Sequence, residues 1–372
     1  MPTLKGGHFG NYAWCPWFSG ARLRRNLKRE SEHTAVPRIL PADLNCAFYL
    51  YPSEAAAKAG VKLGGSGFWV GVQSHKVPEF WWLYGVSNQH VVQRQGASVI
   101  RANAKDGGVK IIPAEPTDWI EHPNRHDIAV LPIQGSAISK NIEMAAVLPG
   151  MFVEEADIKT ESVEVGNEVF MIGRFINHDG RVRNTPSARF GNISMMPGDP
   201  IYVDSKTPPQ ESFAVELRST CGYSGSPVFV TPEVVTRRFA GSAFGPELLL
   251  GVHWGHIIEP WTVETRIVKK VQQTAVAADE REINQVSANT GMNGVVPAWR
   301  LKELLDMPRF KDVRDADEQG ELERIKREVP GAALDAATVE EVSRPASDAN
   351  PTHREDFRHL VSAAARKPAP KD

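Results

Sequence analysis

With 41% hydrophobic and 24% charged residues in 372, the chain has the make-up of a water-soluble globular protein with length for one large core or two ordinary ones. A net charge of −2 gives no global field to gather nucleic acid or acidic membrane. No stretch reaches the roughly eighteen consecutive apolar residues of a transmembrane helix.

The first twenty residues carry Gly6, Gly7, Asn11 and Pro16 where a signal peptide needs an unbroken apolar core. The cysteines are Cys15, Cys46 and Cys221, an odd and sparse set that argues against a disulfide framework. A reducing, cytoplasmic setting is therefore expected. Cys221 is read as a small wall residue, not as a redox group.

Residues 1–35 mix aromatics with the basic run Arg22-Leu23-Arg24-Arg25-Asn26-Leu27-Lys28-Arg29. Such a mixture can bind nucleic acid. Without a periodic pattern beside it, the segment reads as a loosely attached arm, and no nucleic acid is expected as a partner. From Val36 the text turns strand-like. Strands are expected at Cys46–Tyr51, at Phe68–Val72, before His90, and at Ser98–Ala102, Gly108–Ile112 and Asp127–Ile133, with Gly, Asn and Pro between them. About six short strands of this kind make a small antiparallel barrel, placed over 36–150.

Pro149, Gly150 and an acidic patch up to Thr160 mark a connection. A second barrel follows over 151–310, with strands at Glu168–Gly173, Ala188–Ser194, Phe213–Leu217, Pro227–Val230, Leu248–His253 and Thr290–Pro297. Asp179-Gly180 has the composition of a hairpin turn. Leu301, Leu304 and Leu305 have helical spacing and predict a closing helix over Ala298–Leu305. Residues 311–372 are charged and Ala-rich, with a short helix read on Leu322, Ile325 and Val329. Near the end, Thr352-His353-Arg354-Glu355 forms a capping box ahead of Phe357, Leu360 and Val361. That helix over 352–366 either packs on its own chain or docks a protein partner.

Three stretches carry chemistry. Cys221-Gly222-Tyr223-Ser224-Gly225-Ser226-Pro227 is a glycine-rich loop feeding a buried strand. There the amides of Gly222 and Ser224 can converge beside the Ser224 hydroxyl, as an oxyanion hole requires. A serine needs an adjacent base to become nucleophilic, and His90 and Asp127 supply a candidate base and orienting acid. With Ser224 they resemble the three signatures of the trypsin/chymotrypsin-like serine peptidases, in that family's order of His, Asp, Ser. The gaps are 127 − 90 = 37 and 224 − 127 = 97 residues, which suit a base and acid on one barrel and the nucleophile on a second. The resemblance runs from about Val36 to Asp306.

It implies an all-β fold of two antiparallel six-stranded barrels with a C-terminal helix, to which the composition of 311–372 adds a flexible tail. It implies a serine endopeptidase acting on polypeptides through an acyl-enzyme, with catalytic His90, Asp127 and Ser224 and an oxyanion hole from Gly222 and Ser224. Gly65-Ser66-Gly67-Phe68 is similar to the family's segment before the histidine strand, and Thr290–Pro297 to its last strand. Val252-His253-Trp254-Gly255 resembles the pocket strand of the bacterial glutamyl endopeptidases, where a substrate pairs by strand addition. Arg218, Ser219 and Thr220 then join His253, Trp254 and Gly255 as pocket residues suited to an acidic side chain before the scissile bond.

Zymogen members carry an aspartate just before the nucleophile. Here that residue is Tyr223, so no trypsin-type activation by a new amino terminus is expected. No cofactor is expected, and no metal: Pro123 breaks the His122/His126 spacing, and His253/His256 lack completing ligands. The alternative is a catalytically idle module of the same fold that binds peptides, or a docking component of an intracellular system.

Overall fold

The computed structural model describes residues 39–61, 64–133, 140–160, 162–178, 180–202, 208–218, 221–231, 247–266 and 281–328. The readings placed on 1–35, Asp179, Ser219, Thr220, Val329 and 352–366 lie outside these residues.

Strands β1 (Ala47–Tyr51), β2 (Ser66–Gln73), β3 (Trp81–Ser87), β4 (Val99–Asn103), β5 (Val109–Pro113), β6 (Ile120–Glu121) and β7 (Ala129–Ile133) form one antiparallel sheet. Its order is β5-β4-β1-β2-β3-β7-β6. The central strand shows why these residues choose the extended state. Side chains alternate across a strand, and here both faces of β1 are covered: Phe48 and Leu50 join Trp69, Ile100 and Leu131 in the main core, while Tyr49 and Tyr51 pack with Ala57 and Val99 on the other side.

The second sheet is a closed barrel in the order β10-β13-β12-β11-β8-β9. Its strands are β8 (Glu168–Gly173), β9 (Ser187–Met195), β10 (Phe213–Leu217), β11 (Pro227–Val230), β12 (Leu248–Arg266) and β13 (Arg281–Pro297). Val169, Met171, Val215, Val228 and Val230 fill its core, and Phe170 and Phe229 stack on the opposite face with centroids 5.1 Å apart. The β9–β10 pairing, Glu216 opposite Asn192, closes the ring.

The all-β class and the two-sheet plan stand, and the first sheet departs from the expected closed barrel in one respect. Among the described residues its end strands β5 and β6 are not paired with each other. Strand β6 has only two residues, confined between the turn at Pro116–Asp118 and the loop through Pro123, too short to carry a ladder across.

The connection around Pro149 is stitched to both sheets: Val147 bridges Val70, and Phe152 bridges Leu249. A short helix, α2 (Glu155–Lys159), follows; α1 (Glu54–Ala59) lies in the first half, capped by the Ser53 hydroxyl and by Gly60 in the left-handed region. Strand β8 ends at Gly173 and β9 begins at Ser187. Strands β12 and β13 run well past the expected His253 and Thr290. Pro260 reads as a strand breaker but sits within the ladder, opposite Ser287.

Helix α3 (Ala298–Leu305) buries Leu301, Leu304 and Leu305 as their spacing predicts. Where the sequence reading began a tail at 311, the chain instead continues as α4 (Pro308–Glu328). Its first turns dock on the open sheet. Phe310 meets Tyr84 edge-on, Trp82 Nε1–H donates to Asp317 at 3.0 Å, and the buried Glu318 accepts from the Ser74 hydroxyl at 2.5 Å and the Lys76 amide at 3.1 Å. That contact is mostly polar, which is why apolar periodicity did not signal it.

Candidate active site

Strand β3 ends at Ser87, and the chain then turns through Asn88 into a single helical turn, His90–Arg94, anchored by the buried Val91 and Val92. The His90 amide donates to Asp127 Oδ1 at 2.9 Å, and His90 Nδ1 lies 2.6 Å from Asp127 Oδ2. An ionised carboxylate only accepts, so this contact puts the ring proton on Nδ1 and leaves Nε2 with a lone pair. Charge-assisted contacts of this length are among the stronger hydrogen bonds in proteins.

Asp127 is itself held from two sides. Asn88, fully buried, donates from Nδ2 to the Asp127 carbonyl at 2.7 Å. The Asp127 amide donates to Gln210 Oε1 at 2.8 Å, and Gln210 Nε2 donates to the carbonyls of Pro208 and Arg125 at 3.1 and 3.3 Å. Gln210 belongs to the stretch leading into β10, so the closed barrel reaches across to fix the acid of the open sheet. The sequence reading missed both Asn88 and Gln210. Asn88, two residues before the histidine, was the one detectable by position.

The loop around Ser224 is set by backbone geometry. Gly222 and Gly225 have φ of 104° and 85°, where a side chain is strained. A Cβ on Gly225 would also lie 2.1 Å from the Ser66 carbonyl oxygen and 2.3 Å from the Ser87 hydroxyl. Ser66 is the hub: its amide donates to the Ser224 carbonyl at 2.8 Å, and its hydroxyl donates to the Gly222 carbonyl and accepts the Arg174 amide, both at 2.8 Å. Ser87 donates in turn to the Ser66 carbonyl at 2.7 Å. Gly65 lies between Ser224 and Val91, since a Cβ there would approach the Ser224 carbonyl oxygen to 2.7 Å and a Val91 methyl to 2.9 Å. The loop around Ser224 and the turn that carries His90 thus pack on opposite sides of Gly65.

The pocket residues read from sequence are brought together only in part. Trp254 is buried over Gly294 and donates from Nε1 to the Ser212 hydroxyl at 2.8 Å. Gly255 borders open space, with nothing within 4 Å of a Cβ placed on it. Arg218 is exposed at the end of β10. His253 is 1% exposed, and its ring faces the nucleophile loop: Nδ1 lies 3.1 Å from the Tyr223 carbonyl and Nε2 3.2 Å from Asn293 Oδ1. Asn293 is oriented by its own donations to the carbonyls of Leu217 and Gly291, at 2.7 and 2.9 Å, so both His253 nitrogens face acceptors. Burial nevertheless holds this imidazole neutral at pH 7, pulling its pKa down to about 4 against the opposing hydrogen bonds from Asn293 and Tyr223, with the charges of His256 and His90 adding to the fall.

His122 and His126, the other histidine pair, meet edge to face at 4.7 Å between centroids. His122 Nδ1 accepts the Asn124 amide at 3.2 Å, and its Nε2 lies 3.4 Å from Glu303. Among the described residues no three such side chains are grouped to hold a metal.

Residues 65–235 match the trypsin-like peptidase domain. No curated protein matches the chain. Among solved structures, the MamO protease domain of Magnetospirillum magneticum in its apo form is 16% identical with a TM-score of 0.41, covering 72% of this chain and 99% of that one. Rv3671c of M. tuberculosis H37Rv, in an inactive serine-to-alanine form, is 16% identical with a TM-score of 0.34 and coverage of 73% and 95%. The NS6 protease of murine norovirus 1 is 13% identical, with a TM-score of 0.30 and coverage of 66% and 93%. His90, Asp127 and Ser224 all lie inside the stretch 65–235 that is similar to the trypsin-like peptidase domain.

Proposed function

We propose that the chain is a serine endopeptidase that hydrolyses peptide bonds through an acyl-enzyme on Ser224. The observation that carries this reading is the paired contact of His90 with Asp127, through both the ring Nδ1 and the main-chain amide. A histidine serving only the core would not need a carboxylate to fix its tautomer.

In this mechanism Ser224 Oγ attacks the substrate carbonyl carbon while its proton passes to His90 Nε2. Asp127 stabilises the resulting imidazolium without taking its proton. The carbonyl oxygen becomes an oxyanion and receives hydrogen bonds from the amides of Gly222 and Ser224. Collapse breaks the C–N bond, the amine leaves with the proton held by His90, and the acyl group stays on Ser224. Water then repeats the sequence: His90 takes its proton, the hydroxide attacks the ester carbon, and Ser224 recovers its hydrogen. Gly255, at the open margin of β12, offers main-chain groups to an extended substrate. No cofactor enters these steps.

Selection of Glu or Asp before the scissile bond is the finer part of the proposal, with the exposed Arg218 as the cation. A reducing, cytoplasmic setting is proposed with it, supported by the free thiols of Cys46 and Cys221. The test is a fluorophosphonate probe on the full chain, with peptide mapping. Labelling of Ser224 in wild type and none in Ser224→Ala is expected, with cleavage of a peptide library lost by many orders of magnitude. An unlabelled wild-type protein would favour the peptide-binding alternative.

A further inference from the structure

The residue between the two oxyanion amides is Tyr223, and its surroundings are unusually complete. Its side chain is fully buried in the core of the closed barrel. A buried tyrosine needs a partner for its hydroxyl, and here there are two. Arg189 Nε–H donates to the phenol oxygen at 3.0 Å, and the phenol and Ser187 hydroxyls are hydrogen-bonded to each other. Ser187 and Arg189 are two apart on β9, so they share one face of that strand. The Arg189 guanidinium lies 5.0 Å from the Phe175 ring and 5.6 Å from the Tyr223 ring, which restricts its orientation. A Cβ on Gly173 would meet Tyr223 Cδ1 at 2.9 Å, so that glycine makes room for the tyrosine ring. At the other end of the residue, the Tyr223 carbonyl accepts the Ser226 amide at 2.9 Å and has His253 Nδ1 at 3.1 Å.

We propose that Arg189 and Ser187 are positioning residues for the oxyanion hole: by gripping the Tyr223 hydroxyl they hold the Tyr223–Ser224 peptide, which carries the Ser224 amide, in the oxyanion-binding orientation without a newly cut amino terminus. This rests on the serine-peptidase reading of the site. The argument is geometric. The Ser224 amide belongs to the Tyr223–Ser224 peptide, so its direction follows the torsions of Tyr223, a residue without the freedom of glycine, whereas the Gly222 amide belongs to the preceding Cys221–Gly222 peptide. Tyr223 is fixed at its carbonyl by bonds within the loop and β12, but its side chain is fixed only through β9. Removing the phenol's partners releases the anchor that the side chain makes to β9 and leaves those at the carbonyl. Catalysis then suffers and substrate affinity does not, since the hole acts on charge that develops in the transition state.

The test uses full-length Tyr223→Phe, Arg189→Met and Arg189→Lys, with kcat and KM measured separately and amide hydrogen exchange followed over residues 221–226. For Tyr223→Phe and Arg189→Met, kcat is expected to fall by about 10²-fold with KM unchanged, the size of effect a misplacement near 1 Å produces. Exchange at the loop amides should quicken in both. Arg189→Lys, whose ammonium can also donate to the phenol, should recover most of kcat. Unchanged kcat in Arg189→Met, or a loss shared equally by Arg189→Met and Arg189→Lys, would overturn the proposal. If wild type proves inactive, the peptidase reading fails on its own, and hydrogen exchange still decides: faster exchange in Arg189→Met supports the grip, and identical exchange refutes it. Arg189 is only partly buried, so its variants retain the fold.

Discussion

The loop around Ser224 closes on Ser87 and the loop around Asp127 is held by Asn88 and His90, yet the two are specified in different ways. The serine loop is written in its backbone: two glycines at positive φ and close approach to Ser66 and Ser87. The aspartate loop is written in side chains from elsewhere. Asn88 grips its carbonyl and Gln210 its amide, the latter from the opposite sheet. The difference predicts different failures. A change in the first loop breaks sterics at once, whereas a change around the second leaves the fold standing and loosens an angle.

Gly225→Ala should have the largest effect. The new methyl would collide with the Ser66 carbonyl and displace the Ser87 hydroxyl, at a φ that L-residues avoid. A cost of about 3 kcal/mol or more is expected, with loss of probe labelling at Ser224, measured by denaturant unfolding and by the labelling assay. A variant that kept both would mean the loop is looser than its contacts state.

Gln210→Leu tests the other side. It leaves the Asp127 amide buried without an acceptor, at a cost of about 1–3 kcal/mol. The tilt this gives the carboxylate should lower kcat by about tenfold, with the folded signal intact. If kcat were untouched, Asp127 would be held by Asn88 and His90 alone.

These two loops also show what a sequence can disclose. Glycines, the serine between them, and the order of His90, Asp127 and Ser224 are local signals, and the strands around them alternate as half-buried strands do. Strands β10 and β11 and helix α3 fall at the expected residues for that reason. Gln210 and Asn293 are polar residues in unremarkable stretches, and only the folded register brings each to its partner. The same holds for α4, whose contacts through Arg314, Asp317 and Glu318 have no apolar periodicity to reveal them. His253 lay between these cases. Its strand was legible, while the direction of its ring depended on a bulged register opposite Val295.

That ring gives the next test. His253 is held at a folded pKa of about 4 by burial, below the ordinary value of 6.5. His122, His126 and His256 are shifted the same way, burial being the largest cause in each. Between the two values the unfolded chain binds more protons than the native one, so stability is full above about pH 6.5 and falls as pH drops toward 4. His253 should contribute the largest share, on the order of 2–3 kcal/mol. Melting temperature against pH for wild type and His253→Gln checks this, with the variant expected to show a shallower fall. Parallel curves would place the acid sensitivity elsewhere.

The smallest expected effect concerns the residue before the scissile bond. Arg218 is the cation available to a substrate carboxylate, and it sits exposed at the end of β10. His253 is a buried neutral ring whose two nitrogens face the Tyr223 carbonyl and Asn293, so its single N–H is turned inward and away from that carboxylate. An exposed ion pair contributes only about 0.2–1 kcal/mol and weakens with salt. The preference for Glu over the isosteric Gln should therefore be a few-fold in kcat/KM. It should fade as pH falls through the substrate carboxylate's own range, near 4.3, since protonation removes the charge being recognised. It should shrink at high salt and vanish in Arg218→Ala, while cleavage after Leu is unaffected. Matched peptides carrying Glu, Gln, Leu and Lys at that position measure all of this. Lys should be the poorest, being repelled by the same guanidinium. Equal rates for Glu and Gln in wild type would remove Arg218 from specificity altogether, and a preference that survives in high salt would require a second, buried donor.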